Sequence, residues 1–351
     1  MPRSESGTPP LTAVETWLRE HLKPDRVESA RGLYELMPRQ RNGQLPFVDV
    51  DYDPYNESHW ADAARVADYA AHLPAGGTRV LDIGPGDGWP SLPLAALYPN
   101  LSIVGADASP LRAGVCTANA ERLGIHNATF VVADAARLPF DDGSFDLVTA
   151  ASSLEEADDA EGVLHEAARV LRPGGALRAS YQDWRLGVPG WESVMLWSAG
   201  ASLLYTYVRR IQDPPIERRY TVVIRAGSEA KDLFTAALVA MASGKRAYGE
   251  TLLSPELGVP LLQSLIPHYE RCFLVEMRRW STSNLVGALR TAGFSTVRAT
   301  VHSGEIGRHF ARETLRAGTM NSIAPLFPVI TTSLGRVASA LSGDAMVAAI
   351  R

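Results

Sequence analysis

Cysteine is nearly missing from this chain of 351 residues. Its two thiols, Cys116 and Cys272, rule out a disulfide framework or a cysteine-rich zinc site and suit a reducing cytosol. An excess of positive charge is lacking too, since 34 Lys and Arg face 39 Asp and Glu for a net charge of −5. That balance gives no general attraction to nucleic acid or to an anionic membrane. Basic pairs such as Arg209-Arg210 and Arg218-Arg219 are too dispersed for a nucleic-acid stripe. Val194–Val208 carries no charged side chain, yet it falls short of the roughly 20 apolar residues of a spanning helix. Ser198, Ser202 and Thr206 dilute it, so a buried helix or the wall of an apolar pocket is expected there, and a membrane partner is not. The first ten residues are polar and proline-rich, without the apolar core of a signal peptide. A disordered start and a cytoplasmic location are therefore expected. His302-x-x-Glu305-x-x-x-His309 offers ligand types at no familiar spacing, and no metal is expected.

What is present begins with Val80-Leu-Asp-Ile-Gly-Pro-Gly-Asp-Gly-Trp89. Arg79–Ile83 has strand-forming residues without clean alternation, as in a parallel strand buried on both faces. Gly84, Gly86 and Gly88 then allow a tight turn and close approach of backbone amides to a ligand. Pro90 suits the start of the next helix. Strand, glycine loop and helix in that order form a nucleotide-binding corner. A dinucleotide corner needs G-x-G-x-x-G, and here the third glycine comes one residue early, with Trp89 in its place.

Strand and helix patterns then alternate. Leu101–Ala106 reads as a strand ending at Asp107, Pro110–Leu123 as a helix closed by Gly124, and Thr129–Ala133 as a strand ending at Asp134. Phe145–Ala150 follows the turn Asp141-Asp-Gly-Ser144, a helix from Ala157 to Leu171 stops at Arg172-Pro-Gly-Gly175, and Ala176–Tyr181 is a fifth strand. This repetition predicts an α/β fold, a doubly wound, mostly parallel Rossmann-like sheet with helices on both faces. Before it, Leu11–Leu22, Arg26–Leu36 and Ala61–Leu73 have helical spacing. After it come an expected apolar helix Trp191–Val208, a strand Tyr220–Ile224, and helices Ala230–Met241 and Pro260–Tyr269. The alternation returns with Phe273–Arg278, helix Ser283–Ala292 and strand Thr296–Val301. The expected organisation is an N-terminal helical cap over 1–60 and a core domain over 61–302. Residues 187–271 are inserted between its fifth and sixth strands as a substrate-binding segment, and a helical tail covers 303–351.

Successive strand ends carry groups that suit one ligand. Asp107 can accept two ribose hydroxyls and Asp134 an adenine amino group; each is also the kind of residue that caps a helix. Val80–Trp89, Ile103–Ser109, Ala133–Val148 and Glu166–Gly175, in that order, resemble the motifs of class I S-adenosylmethionine-dependent methyltransferases. The similarity runs over roughly 61–183 and is nearest to the small-molecule, quinone-biosynthesis-like subgroup. The resemblance implies S-adenosyl-L-methionine as cofactor, in contact with Gly84, Gly86, Asp107, Asp134 and Ala135, and the strand-end reading adds Asp82, Gly88, Ala108, Ala151 and Ser152. Two departures stand out: Pro93 lies early in the helix after the glycine loop, and Ser152-Ser-Leu-Glu-Glu156 lacks the histidine that relatives often carry there.

Methyl transfer from a sulfonium is an in-line displacement, and a base is needed only where the acceptor must lose a proton. His59, Tyr181 and Asp183 are the leading candidates, with Glu155 beside them. Tyr52, Tyr55 and Asn56, in the aromatic stretch Asp49–Trp60, suit a flap, and Trp184 suits the substrate side. The aromatic-rich insertion favours a small, partly apolar or aromatic acceptor over RNA or protein. Three alternatives share the sequence features: a cyclase or decarboxylase that binds the same cofactor, a noncatalytic interaction protein, and a nicotinamide dehydrogenase. The oligomeric state, a homodimer included, is open.

Overall fold

The computed structural model describes residues 10–26, 52–157, 159–181, 183, 192–199, 201–211, 215–243, 253–336 and 345–351. The helix expected over Arg26–Leu36 falls outside them beyond Arg26, as do Trp184, Gly187 and Trp191. The chain forms two compact units, residues 1–39 with 184–279 and residues 40–183 with 280–351.

In chain order the elements are α1 (Ala13–His21), β1 (Asp25–Arg26), α2 (Glu57–Ala71), β2 (Arg79–Ile83), α3 (Ser91–Leu97), β3 (Ser102–Asp107), α4 (Pro110–Arg122) and β4 (Ala128–Val132). Next come β5 (Phe145–Ala151), α5 (Ala160–Val170), β6 (Leu171–Tyr181), β7 (Glu192–Ala199), β8 (Ser202–Ile211), β9 (Ile216–Arg225), α6 (Ser228–Ser243) and α7 (Val259–Leu265). The last are β10 (Tyr269–Arg278), α8 (Thr282–Thr291), β11 (Thr296–Val301), α9 (Gly304–Arg316), α10 (Met320–Ile323), α11 (Phe327–Leu334) and β12 (Ala345–Ile350).

The unit of residues 40–183 and 280–351 is built on a seven-stranded sheet, β11-β12-β6-β5-β2-β3-β4. β6, β5, β2, β3 and β4 run parallel, and β12 is antiparallel to both its neighbours. The chain moves outward from β2 to β4, then returns to place β5 on the other side of β2, which makes the β2/β5 edge the switch point of a doubly wound sheet. Both faces are covered. Leu81, Ile83, Val148 and Leu177 pack with Val163 and Leu164 of α5 and Leu285 of α8. Val80, Leu147 and Ala176 pack with Val66 and Tyr69 of α2 and Leu92 of α3. Neighbouring residues of β2 thus reach opposite cores, which is why the strand shows no polar alternation. On the α2 side, Arg178 of β6 donates twice to Asp68, at 2.9 and 2.8 Å, and Asp68 also accepts from the Ser303 amide. This buried fork fixes α2 to the sheet.

Two expectations fail here. Phe273–Arg278 is not the next strand of this sheet; it lies in β10, paired with β9 in the other unit. The place beside β6 goes to β12, because the tail, helical through Leu334, ends in the apolar strand Ala345–Ile350. Six residues of Ala, Met, Val and Ile carry too short a pattern to separate strand from helix.

The other unit has a five-stranded sheet, β1-β10-β9-β8-β7, antiparallel except for the β1 edge. Leu203, Tyr205 and Tyr207 of β8 and Tyr220, Val222 and Ile224 of β9 face Trp17 and Leu18 of α1, Phe234 of α6 and Leu262 of α7. Where a helix was expected over Trp191–Val208, β7 and β8 pair antiparallel instead, with Leu196 opposite Tyr205. Every residue from Leu203 to Val208 is buried, so the strand is apolar on both faces and reads as a continuous run. Its Val, Tyr and Thr content and Gly200 were the sequence signals for two strands. No described helix is long and apolar enough to cross a membrane.

Candidate cofactor site

Four adjacent strands, β5, β2, β3 and β4, end along one edge of the seven-stranded sheet. At about 4.8 Å per gap their ends span about 14 Å. From left to right they present Ala151-Ser152, the glycine loop, Asp107-Ala108 and Asp134-Ala135.

The loop's three glycines all have positive φ, 65° at Gly84, 60° at Gly86 and 117° at Gly88. A Cβ on Gly84 would lie 2.6 Å from that of Ser153, and one on Gly88 would lie 2.4 Å from a Leu92 methyl. One on Gly86 meets nothing within 4 Å. Gly84 and Gly88 are therefore required by the protein itself, and Gly86 opens onto free space.

Asp82 lies beneath the loop, fully buried. Its carboxyl accepts from Ser91 Oγ at 2.5 Å and Thr149 Oγ1 at 2.9 Å. Burial pushes its pKa up to about 7, against the pull of those two hydroxyls. Sequence reasoning missed Ser91 and Thr149, whose only signal was a hydroxyl at a core-facing position. Asp107 is half-buried, and its carboxyl accepts from the Ser109 amide at 2.8 Å and from the Gly86 amide. Burial raises its pKa and these amides oppose the shift. Asp134 is exposed and takes the Ala136 amide at 2.9 Å. Ser152 holds a left-handed φ of 56° and donates its amide to Ser180 O.

The remaining candidates fall in two groups. Tyr181, Asp183 and Thr282 lie together at the end of β6: Tyr181 Oη is 2.6 Å from Thr282 Oγ1, and that hydroxyl donates to Asp183. Burial raises the Tyr181 pKa, so the phenol stays protonated at neutral pH. Tyr52, Tyr55, Asn56 and His59 belong to the entry of α2. His59 Nδ1 accepts the Asp53 amide at 2.7 Å, Asn56 caps α2 through the Ser58 amide, and Tyr55 donates to Asn321. Tyr52 packs with Phe327 of α11. The Arg65 guanidinium sits 4.4 Å from the Trp89 ring, which places the middle of α2 at the glycine loop. His59 stands six residues, about 9 Å, further along the helix. Trp184 is outside the described residues. His302 Nδ1 accepts the Gly304 amide, and no described trio of His, Cys, Asp or Glu could hold a metal ion.

Fold and edge together define a Rossmann-like nucleotide-cofactor domain. Residues 80–175 match a family model described as a methyltransferase domain. The chain is similar to the demethylmenaquinone methyltransferase of Thermus thermophilus, 41% identical over 99 residues, which cover 28% of this chain and 44% of the relative. The enzyme of that name from Clavibacter sepedonicus is 40% identical over 123 residues, covering 35% and 46%. The chain thus spans about half the length of the curated relatives it matches. A solved S-adenosylmethionine-dependent methyltransferase from Clostridium acetobutylicum aligns over 86% of this chain and 92% of its own, at 12% identity and a TM-score of 0.47. Residues 80–175 thus resemble a methyltransferase domain, and the cofactor of a class I domain of that kind would be S-adenosylmethionine. The edge fits such a group: open space at Gly86, a half-buried carboxyl at Asp107 and an exposed one at Asp134.

Proposed function

We propose that the protein transfers a methyl group from S-adenosylmethionine to a small, partly apolar or aromatic metabolite. One observation carries this reading: the ordered series Ser152, Gly84–Gly88, Asp107 and Asp134 along adjacent strand ends at the sheet's switch point. In this reading Asp107 takes the ribose hydroxyls, with Ala108 beside it, and Asp134 and Ala135 take the adenine. Gly84, Gly86 and Gly88 pass under the ribose and methionine, Ala151 and Ser152 lie by the methionyl arm, and Asp82 offsets its cationic end. The cofactor supplies an electrophilic methyl group. The chain's own residues orient it, exclude water and take up a proton where the acceptor has one to lose.

The hydrogen-bond chain Tyr181–Thr282–Asp183 supports a role in that last task. A phenol held protonated is no base by itself, but it can pass a proton through the Thr282 hydroxyl to the Asp183 carboxylate. Residues 187–271 are proposed to recognise the acceptor.

Titration calorimetry with S-adenosylmethionine and S-adenosylhomocysteine tests the cofactor half. Incubation with methyl-labelled cofactor and a metabolite extract, followed by identification of the labelled product, tests the transfer. Binding plus a labelled small molecule is expected, and a photoreactive analogue of that molecule should label peptides within 187–271. Absence of binding, or binding without label in any product, refutes the proposal.

A further inference from the structure

Glycines that let a loop fold tightly leave it without side chains to anchor it, so the grip must come from elsewhere. Here it comes from one face of α4. Arg112, Cys116 and Asn119 stand at i, i+4 and i+7, where helical side chains line up. The Arg112 guanidinium pairs with the Asp87 carboxylate, in the middle of the loop. The Asn119 side-chain amide donates to the Asp87 carbonyl at 2.9 Å, and the Cys116 thiol donates to the Gly86 carbonyl at 3.2 Å. All four side chains are buried, Asp87 at 1% exposure, Arg112 at 6%, Asn119 at 7% and Cys116 at 0%. The second carboxylate oxygen of Asp87 has no hydrogen-bond partner, so its charge relies on Arg112. Arg112 also acts on Asp107 through its charge, which links the loop to the end of β3.

We propose that Arg112 and Asp87 are positioning residues, an ion-pair latch that, with Asn119, holds the glycine loop in the curvature that receives the methionyl part of the cofactor. The inference rests on the cofactor reading above. A buried ion pair on a nonfunctional turn would be an odd use of two charges, since an apolar pair of similar volume stabilises as well. On a loop that must keep its amides aimed at a ligand, directional bonds do what apolar packing does not.

The test uses the full chain and two probes, S-adenosylhomocysteine and adenosine. Adenosine lacks the methionyl part, so the latch should matter less to it. Calorimetry is run on wild type, Arg112→Met, Arg112→Lys and Asn119→Leu, with melting curves to monitor folding. Losing a hydrogen bond to a charged group predicts that Arg112→Met weakens S-adenosylhomocysteine binding about tenfold or more. Adenosine binding should fall much less, and Arg112→Lys should recover most of the loss. Unchanged S-adenosylhomocysteine affinity in a folded Arg112→Met overturns the latch. Equal losses for both probes, with no rescue by Lys, make the pair merely structural and also overturn it. Should Arg112→Met fail to fold, Asn119→Leu decides: weaker S-adenosylhomocysteine binding supports the latch and unchanged binding refutes it. A wild type that binds neither probe sinks the cofactor reading itself, whereas failure in the variants alone sinks only the latch.

Discussion

Replacing Asp82 by Asn should make the protein's stability less sensitive to pH, and the structure sets both sign and size. The carboxyl is fully buried, and burial pushes its pKa from the ordinary 3.8 up to about 7. A folded-state pKa above the unfolded one means that the native state binds the extra proton. Between about pH 4 and pH 7 stability therefore falls as pH rises, and the full cost is present above pH 7. Three units at 1.36 kcal/mol each give a total on the order of 4 kcal/mol, of which about 3 kcal/mol falls between pH 5 and pH 7. Asparagine keeps the shape and one acceptor for Ser91 and Thr149 but carries no charge to desolvate. Urea unfolding at pH 5, 6, 7 and 8 measures the difference between wild type and Asp82→Asn. That difference should move in the variant's favour by about 3 kcal/mol across the range. The same variant should bind S-adenosylmethionine more weakly, since a group that costs stability at a site is kept for the site's chemistry. Parallel stability curves for the two proteins would refute the argument.

The two loop glycines separate fold from function. Gly84→Ala should destabilise by about 1 kcal/mol for its positive φ and more for the clash with Ser153, as a melting curve reads. Gly86→Ala carries the same positive-φ strain without such a clash and should weaken S-adenosylhomocysteine binding with a smaller thermal penalty. Asp107→Ala should abolish measurable cofactor affinity in calorimetry while the protein stays folded. Asp68→Leu strands the Arg178 guanidinium in the core and should cost about 3 to 5 kcal/mol in urea unfolding.

The parallel half of the seven-stranded sheet was legible because each βαβ step is local. Strand, turn residue and helix cap follow one another within a few tens of residues. Pro110 at the head of α4 and Gly124 behind it mark element ends in the sequence and do so in the structure. Of the antiparallel strands, Tyr220–Ile224, Phe273–Arg278 and Thr296–Val301 were legible as strands, but the sheet neighbours they take were not. Ala345–Ile350 finds its place only by pairing with Ala176–Tyr181, more than 160 residues earlier, and no local feature names that partner. Likewise the run Leu203–Val208 looks like a buried helix until β9 and β7 are set on either side of it.

The same distinction divides the candidate site. Its acids and glycines are visible in sequence because they occupy strand ends, positions that the pattern itself locates. The groups that tune them are not, because each comes from the next element over. Ser91 and Thr149 reach Asp82 from α3 and β5, and Arg112 reaches Asp87 from α4. Such residues read as ordinary helix or strand positions: a serine at a helix start, a threonine in a strand, an arginine in a first turn. What sets them apart is burial of a polar side chain, and burial is a property of the folded packing. A lone buried carboxylate costs several kcal/mol unless something answers it. Once β2 is known to carry Asp82 into the core, a hydroxyl or cation on the flanking elements becomes a physical requirement, and only the packing says which residue meets it.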